Sequence, residues 1–151
     1  MDRRAFLATS VVSVFAATAQ GKGANLAVHV NYTGRGTVDA SHKLYVVLWD
    51  SPDFVKDNSG TMMPFAVKGI TSKSTTARFD GVQKSPVYLS LAYDPTGNWD
   101  ARSEPPVGAS LGLYTKGEPG TPSPIQLQPG KTTTVHVTLD DSYKKPKAES
   151  Q

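Results

Sequence analysis

Apolar residues in this chain recur at every second position, a rhythm that buries one face of a β-strand and cannot line one side of a helix. In "NLAVHVNY" Leu26, Val28, Val30 and Tyr32 share one face, and Ala27, His29 and Asn31 the other. In "PVYLSLAY" Val87, Leu89 and Leu91 oppose Tyr88, Ser90 and Ala92. Toward the end, Val135, Val137 and Leu139 alternate with Thr134, His136 and Thr138. The run from Lys43 to Trp49 is continuously apolar, rich in β-branched and aromatic residues, and so suits a central strand. Shorter strands are expected near Met63 to Ile70, near Thr75 to Asp80, and at Ile125 to Gln128 before a Pro129-Gly130 turn. Asp50 to Gly60 reads as a connection, with a turn at Asn58 to Gly60, and no segment sustains a helical period.

Between Asp94 and Pro124 the alternation stops. Prolines and glycines recur throughout this segment, which reads as one long loop with a short strand around Leu111 to Tyr114. The expected class is all-β, an antiparallel β-sandwich of about seven strands, Ig-like in general plan, with this one long Pro/Gly-rich loop. A chain of 151 residues suits one such domain, expected over residues 21–142, with a disordered tail over 143–151 that has no apolar periodicity.

Residues 1–20 follow the plan of an export signal: Arg3 and Arg4, an apolar run from Ala5 to Ala17, and small residues at Ala17 and Ala19. "RRAFL" resembles the twin-arginine export motif, although Asp2 and Ala8 depart from its usual flanks; the general secretory route leads to the same place. The expectation is a periplasmic or secreted protein with no membrane span once the signal is removed. Of 16 basic and 13 acidic residues, cleavage after Gln20 would remove Arg3, Arg4 and Asp2, leaving 14 and 12. A nearly neutral chain without a basic stripe lacks the electrostatic footprint of a nucleic-acid binder. With no cysteine there is no disulfide framework and no thiolate metal site.

Three stretches carry a family resemblance: "YVVLWDSP" as a second strand and its exit, "FDGVQKSPVYLSLAYD" as a glycine turn feeding a long strand, and "LQPGKTTTVHVTL" as a closing turn and strand. Together they resemble the transthyretin-like, or prealbumin-like, sandwiches that include carboxypeptidase regulatory-like domains. The resemblance spans most of Asn25 to Asp140. It implies a non-catalytic accessory, adhesion or carbohydrate-binding role, and a pairing of the first and last strands.

Several residues are candidates for chemistry. Asp94, Thr96, Asn98 and Asp100 stand at alternate positions in "YDPTGNWDARSE" and Glu104 follows, an oxygen-rich pattern in which Asp94, Asn98, Asp100 and Glu104 suit calcium. The same pattern suits an Asx turn in which Asp94 and Asn98 bond their own backbone, and that is the simpler reading. An EF-hand is excluded, because Trp99 stands at its glycine position and Pro105 at its closing glutamate. Trp99 and Tyr114 are candidate ligand-binding residues, flat rings on a loop that either meet a sugar or form the loop's own core. His29 and His136 fall on the polar phase of their strands; if those strands pair, the imidazoles become neighbours able to hold zinc or copper, or else simply face solvent. Serines occur in no Gly-x-Ser-x-Gly, "GEPG" opens no helix, and Asp140 and Asp141 point to opposite faces, so no catalytic residue is assigned.

The resulting expectation is an exported, non-catalytic binding or accessory module that needs no cofactor unless calcium, with carbohydrate or an envelope protein as partner. The alternatives are a small hydrolase of the transthyretin-like fold, or a calcium-stabilised adhesion or assembly domain that oligomerises through its edge strands.

Overall fold

The computed structural model describes residues 23–57 and 59–147. The expected export signal lies outside the described residues. Seven strands follow in chain order: β1 (Ala24–Tyr32), β2 (Leu44–Trp49), β3 (Ala66–Ile70), β4 (Ser74–Val82), β5 (Tyr88–Tyr93), β6 (Ser110–Leu113) and β7 (Thr132–Leu139). They form a three-stranded sheet in the order β4-β1-β7 and a four-stranded sheet in the order β3-β2-β5-β6. The chain is a β-sandwich, as its alternation predicts.

The alternating sets meet between the sheets. Leu26, Val28, Val30 and Tyr32 from β1, Val135, Val137 and Leu139 from β7, and Leu89 and Leu91 from β5 all join one core, together with Leu44, Val46 and Leu48 from the apolar run. That run is central in its sheet, with β3 on one side and β5 on the other. Its unbroken apolar character has a physical reason: Val47, which points away from the core, is also buried.

The structure corrects four details. The first and last strands do pair, but β1 and β7 run parallel, so the sandwich is not wholly antiparallel. The strand expected at Ile125 to Gln128 is a single bridge between Ile125 and Val87, because Pro124 and Pro129 confine it. Asp50 to Gly60 includes one turn of 3-10 helix, Pro52–Lys56, started by Ser51, whose hydroxyl accepts from the Asp53 amide at 3.2 Å. The tail is ordered through its first residues: the Leu111 amide donates to the Tyr143 carbonyl, the Gly108 amide to the Lys145 carbonyl, and the Lys145 amide to the Ala109 carbonyl. Backbone pairing holds this segment beside β6, so a search for apolar periodicity misses it.

One polar hub ties the two sheets at the end of the sandwich. Asp141 accepts from the Tyr32 hydroxyl (2.7 Å), the Ser110 hydroxyl (2.7 Å) and the Arg35 amide (2.9 Å). The Arg35 amide and the Ser110 hydroxyl lower the Asp141 carboxyl to about 2, while burial and the bond to Asp141 push the Tyr32 phenol up to about 12. Gly34 makes the approach feasible, since a Cβ there would lie 2.2 Å from Asp141 Oδ1 and 2.4 Å from the Tyr32 ring.

Candidate functional site

The Asp94 loop folds on itself. Asp94 is 1% exposed, and its carboxylate accepts from the Thr96 amide (2.8 Å), the Thr96 hydroxyl (2.6 Å) and the Trp99 amide (3.0 Å). Burial opposes its charge, but the bonds from Thr96 and Trp99 outweigh burial and hold the carboxyl below its usual range. Asp100 accepts from the Arg102 amide, Glu104 pairs with Lys145, and Asn98 is exposed. Among the described residues no group of three or more His, Cys, Asp or Glu is placed to hold a metal. The four residues expected to ligate calcium are therefore not brought together as a ligand set, because each carboxylate is occupied by its own turn or by a lysine.

Trp99 and Tyr114 are also separated. Tyr114 is buried and belongs to the core, so it presents no open ring to a ligand. Trp99 leaves its loop and packs edge-on against Tyr45, ring centroids 5.3 Å apart. The Tyr45 hydroxyl donates to the Trp99 carbonyl at 2.6 Å, and the Trp99 indole N–H donates to the Ser103 carbonyl at 3.1 Å. Burial, and then the charges of Asp94 and Asp100, raise the Tyr45 phenol above its ordinary value.

Tyr45 leads to a surface larger than the loop: the outer face of the four-stranded sheet. Side chains directly opposite in antiparallel strands share a face, so the register defines its rows. Trp49 lies opposite Tyr88; Val47 lies between Val67 and Ser90, with Leu113 beyond; Tyr45 lies between Gly69 and Ala92, with Leu111 beyond. None of these positions carries a charge. Val47 and Ala92 are each only 3% exposed yet stand outside the core cluster, which marks a second apolar layer on this outward side.

Two loops clamp the ends of the face. Phe54, on the 3-10 turn, stacks on Trp49 with centroids 4.5 Å apart and planes 6° apart. The Trp49 indole N–H reaches across to the Ser90 hydroxyl at 2.9 Å, which fixes the indole over the middle of the sheet. Trp99 holds the opposite end against Tyr45. Between the clamps Trp49, Tyr88, Leu111, Leu113 and Val67 remain half-buried. Of the aromatic rings on this face the sequence pattern singles out Trp99 and not Tyr45, Trp49 or Tyr88, whose signal is that Leu44 to Trp49 is apolar on both phases and so calls for something apolar over its outward side.

On the opposite outer face, of the three-stranded sheet, His29 and His136 occupy the same row of the parallel pair, as their phase predicts. The nearest polar partner of His29 is the Thr76 hydroxyl, 2.6 Å from Nδ1. His42 lies elsewhere and contacts Asp39 at 3.2 Å.

In comparisons with known proteins, the chain matches no family model, no curated protein and no solved structure. Among the described residues no helix is long and apolar enough to cross a membrane.

Proposed function

We propose that the protein is an exported, non-catalytic binding module of the transthyretin-like kind, and that the outer face of its four-stranded sheet holds a neutral carbohydrate. The observation that carries this reading is the uncharged lattice centred on Val47 and Ser90, flanked by Trp49, Tyr88 and Tyr45. A flat sheet fixes side chains about 4.8 Å apart across strands, a rigid surface whose rings lose little entropy on binding. Aromatic rings with a polar edge suit a ligand that is apolar on its faces and hydroxylated at its rim. A β-1,4-linked glycan has that character, because its equatorial hydroxyls leave C–H groups on both ring faces. The lattice positions themselves carry no charge, and Lys43 stands only at the edge of the face, beside Gly69 and Tyr45, so the centre favours a neutral ligand over an anionic one.

The test is retention on chitin and on cellulose, both neutral and built on β-1,4 linkages, for the wild type and for Trp49→Ala and Tyr88→Ala. Retention of the wild type that each substitution lowers about tenfold or more supports the reading, since an aromatic anchor is worth on the order of 2 kcal/mol. Loss of retention in His29→Ala with none in Tyr88→Ala would place binding on the wrong face and refute it.

A further inference from the structure

The outer face of the three-stranded sheet has its own character. His29 lies opposite Thr76 on β4 and opposite His136 on β7, and Asn31 lies opposite Ser74 and Thr138 in the next row. The two imidazoles stack with centroids 4.7 Å apart and planes 17° apart, and both are exposed. A shallow depression open to solvent lies here, lined by His29, Asn31, Ser74, Thr76, His136 and Thr138 among others. Stacked imidazoles on a sheet have a bland use as solvent-facing strand residues, but two features go beyond it. One is the parallel register, which holds the Cα atoms of two good metal ligands directly side by side. The other is the Thr76 hydroxyl at Nδ1 of His29, the orienting contact that metal-bound histidines use on the nitrogen facing away from the ion.

We propose that His29 and His136 form a two-histidine Cu(II) site, with Thr76 as a positioning residue. When Thr76 accepts from Nδ1–H of His29, Nε2 keeps its lone pair free for the ion. The nearly parallel rings direct their lone pairs side by side, so His136, which is exposed, turns about its side-chain bonds to converge on one ion while His29 keeps its contact with Thr76. Two imidazoles supply half of a square-planar set, and water from the open surface, which is rich in hydroxyl and amide side chains, completes it. Copper(II) stands at the top of the divalent affinity series and accepts this donor set, whereas a closed structural zinc site needs four protein ligands. Arg78 lies on the same face, one row from Thr76 toward Ala27, and its charge opposes a bare cation. It favours an ion that carries hydroxide or another anionic ligand.

The experiment titrates Cu(II) into the full chain and records calorimetry together with electron paramagnetic resonance. The expected result is one ion per chain at this site, with a spectrum split by two imidazole nitrogens. His29→Ala and His136→Ala should each weaken binding by about tenfold or more, Thr76→Val should weaken it while keeping the two-nitrogen spectrum, and His42→Ala should change nothing. All four side chains are exposed or half-buried, so circular dichroism should remain that of the wild type. Binding unchanged in both His29→Ala and His136→Ala, or lost in His42→Ala, or a one-nitrogen spectrum, would overturn the proposal. A second arm adds inorganic phosphate without metal: if it shifts the His29 and His136 NMR signals and copper does not, the face is an anion site and the copper assignment fails.

Discussion

The two outward faces of this sandwich share one backbone geometry and opposite chemistry. On the three-stranded sheet the outward positions of β7 are Thr132, Thr134, His136 and Thr138, all exposed, and solvent covers them. On the four-stranded sheet the outward positions of β2 are Tyr45, Val47 and Trp49, and protein covers them in part. The first face is what a sheet with one buried side presents when its far side has no partner; the second is a sheet apolar on both sides whose outer layer is only half completed. A protein that needed only to fold could have placed Thr at Val47. The contrast therefore identifies the four-stranded face as the place where the chain carries apolar surface beyond what its core requires.

Outward-facing substitutions, one on each face, separate them most strongly. Val47→Asp buries an unpaired carboxylate and should cost about 3 kcal/mol or more in denaturant unfolding, whereas Thr134→Asp on the other face should stay within about 0.5 kcal/mol. Equal costs would break the comparison. Trp49→Ala removes the Phe54 stack and the bond to Ser90 and should cost about 1–2 kcal/mol, while His136→Ala should be nearly neutral.

The hub at Asp141, which joins the sheets at one end, should show in the acid limb of stability. Its carboxyl is lowered in the folded protein, so its stabilisation is complete above the ordinary carboxylate range of about 4 and is lost as the pH falls through about 2. Asp141→Asn should flatten the stability profile in that window; a slope unchanged from the wild type would show that other carboxylates set it. Tyr32 acts at the opposite limit: its phenol is raised to about 12, so its stabilisation is present below the ordinary value of about 10 and declines as the pH rises through 12. The smallest effect is expected from calcium. Asp94 is already satisfied by Thr96 and Trp99, so millimolar calcium and a chelator should give the same melting temperature, and a calcium-dependent rise removed by Asp100→Asn would restore the loop as a cation site.

The sandwich was legible in the sequence because burial on one face of a strand imposes a period of two, and Leu26 to Tyr32 and Val135 to Leu139 follow it without a break. The same phase set His29 beside His136 once the first and last strands were paired, but not their parallel direction, which depends on how the chain crosses between sheets. The aromatic face was harder to read. Tyr45, Trp49 and Tyr88 come from separate strands, and Phe54 and Trp99 from separate loops, so their meeting depends on register and loop path and leaves no local pattern. The docked segment at Tyr143 to Lys145 was illegible for a related reason, since backbone hydrogen bonds make no demand on side-chain type.

The most direct test of the account is to map amide NMR shifts on the folded protein as a chitin oligosaccharide is added. Binding on the four-stranded face would cluster the shifts at Tyr45, Val47, Trp49, Tyr88, Leu111 and Leu113. Shifts confined to the Asp94 to Pro124 loop outside β6 or to the three-stranded face, or no shifts with either chitin or cellulose oligosaccharides, would contradict it.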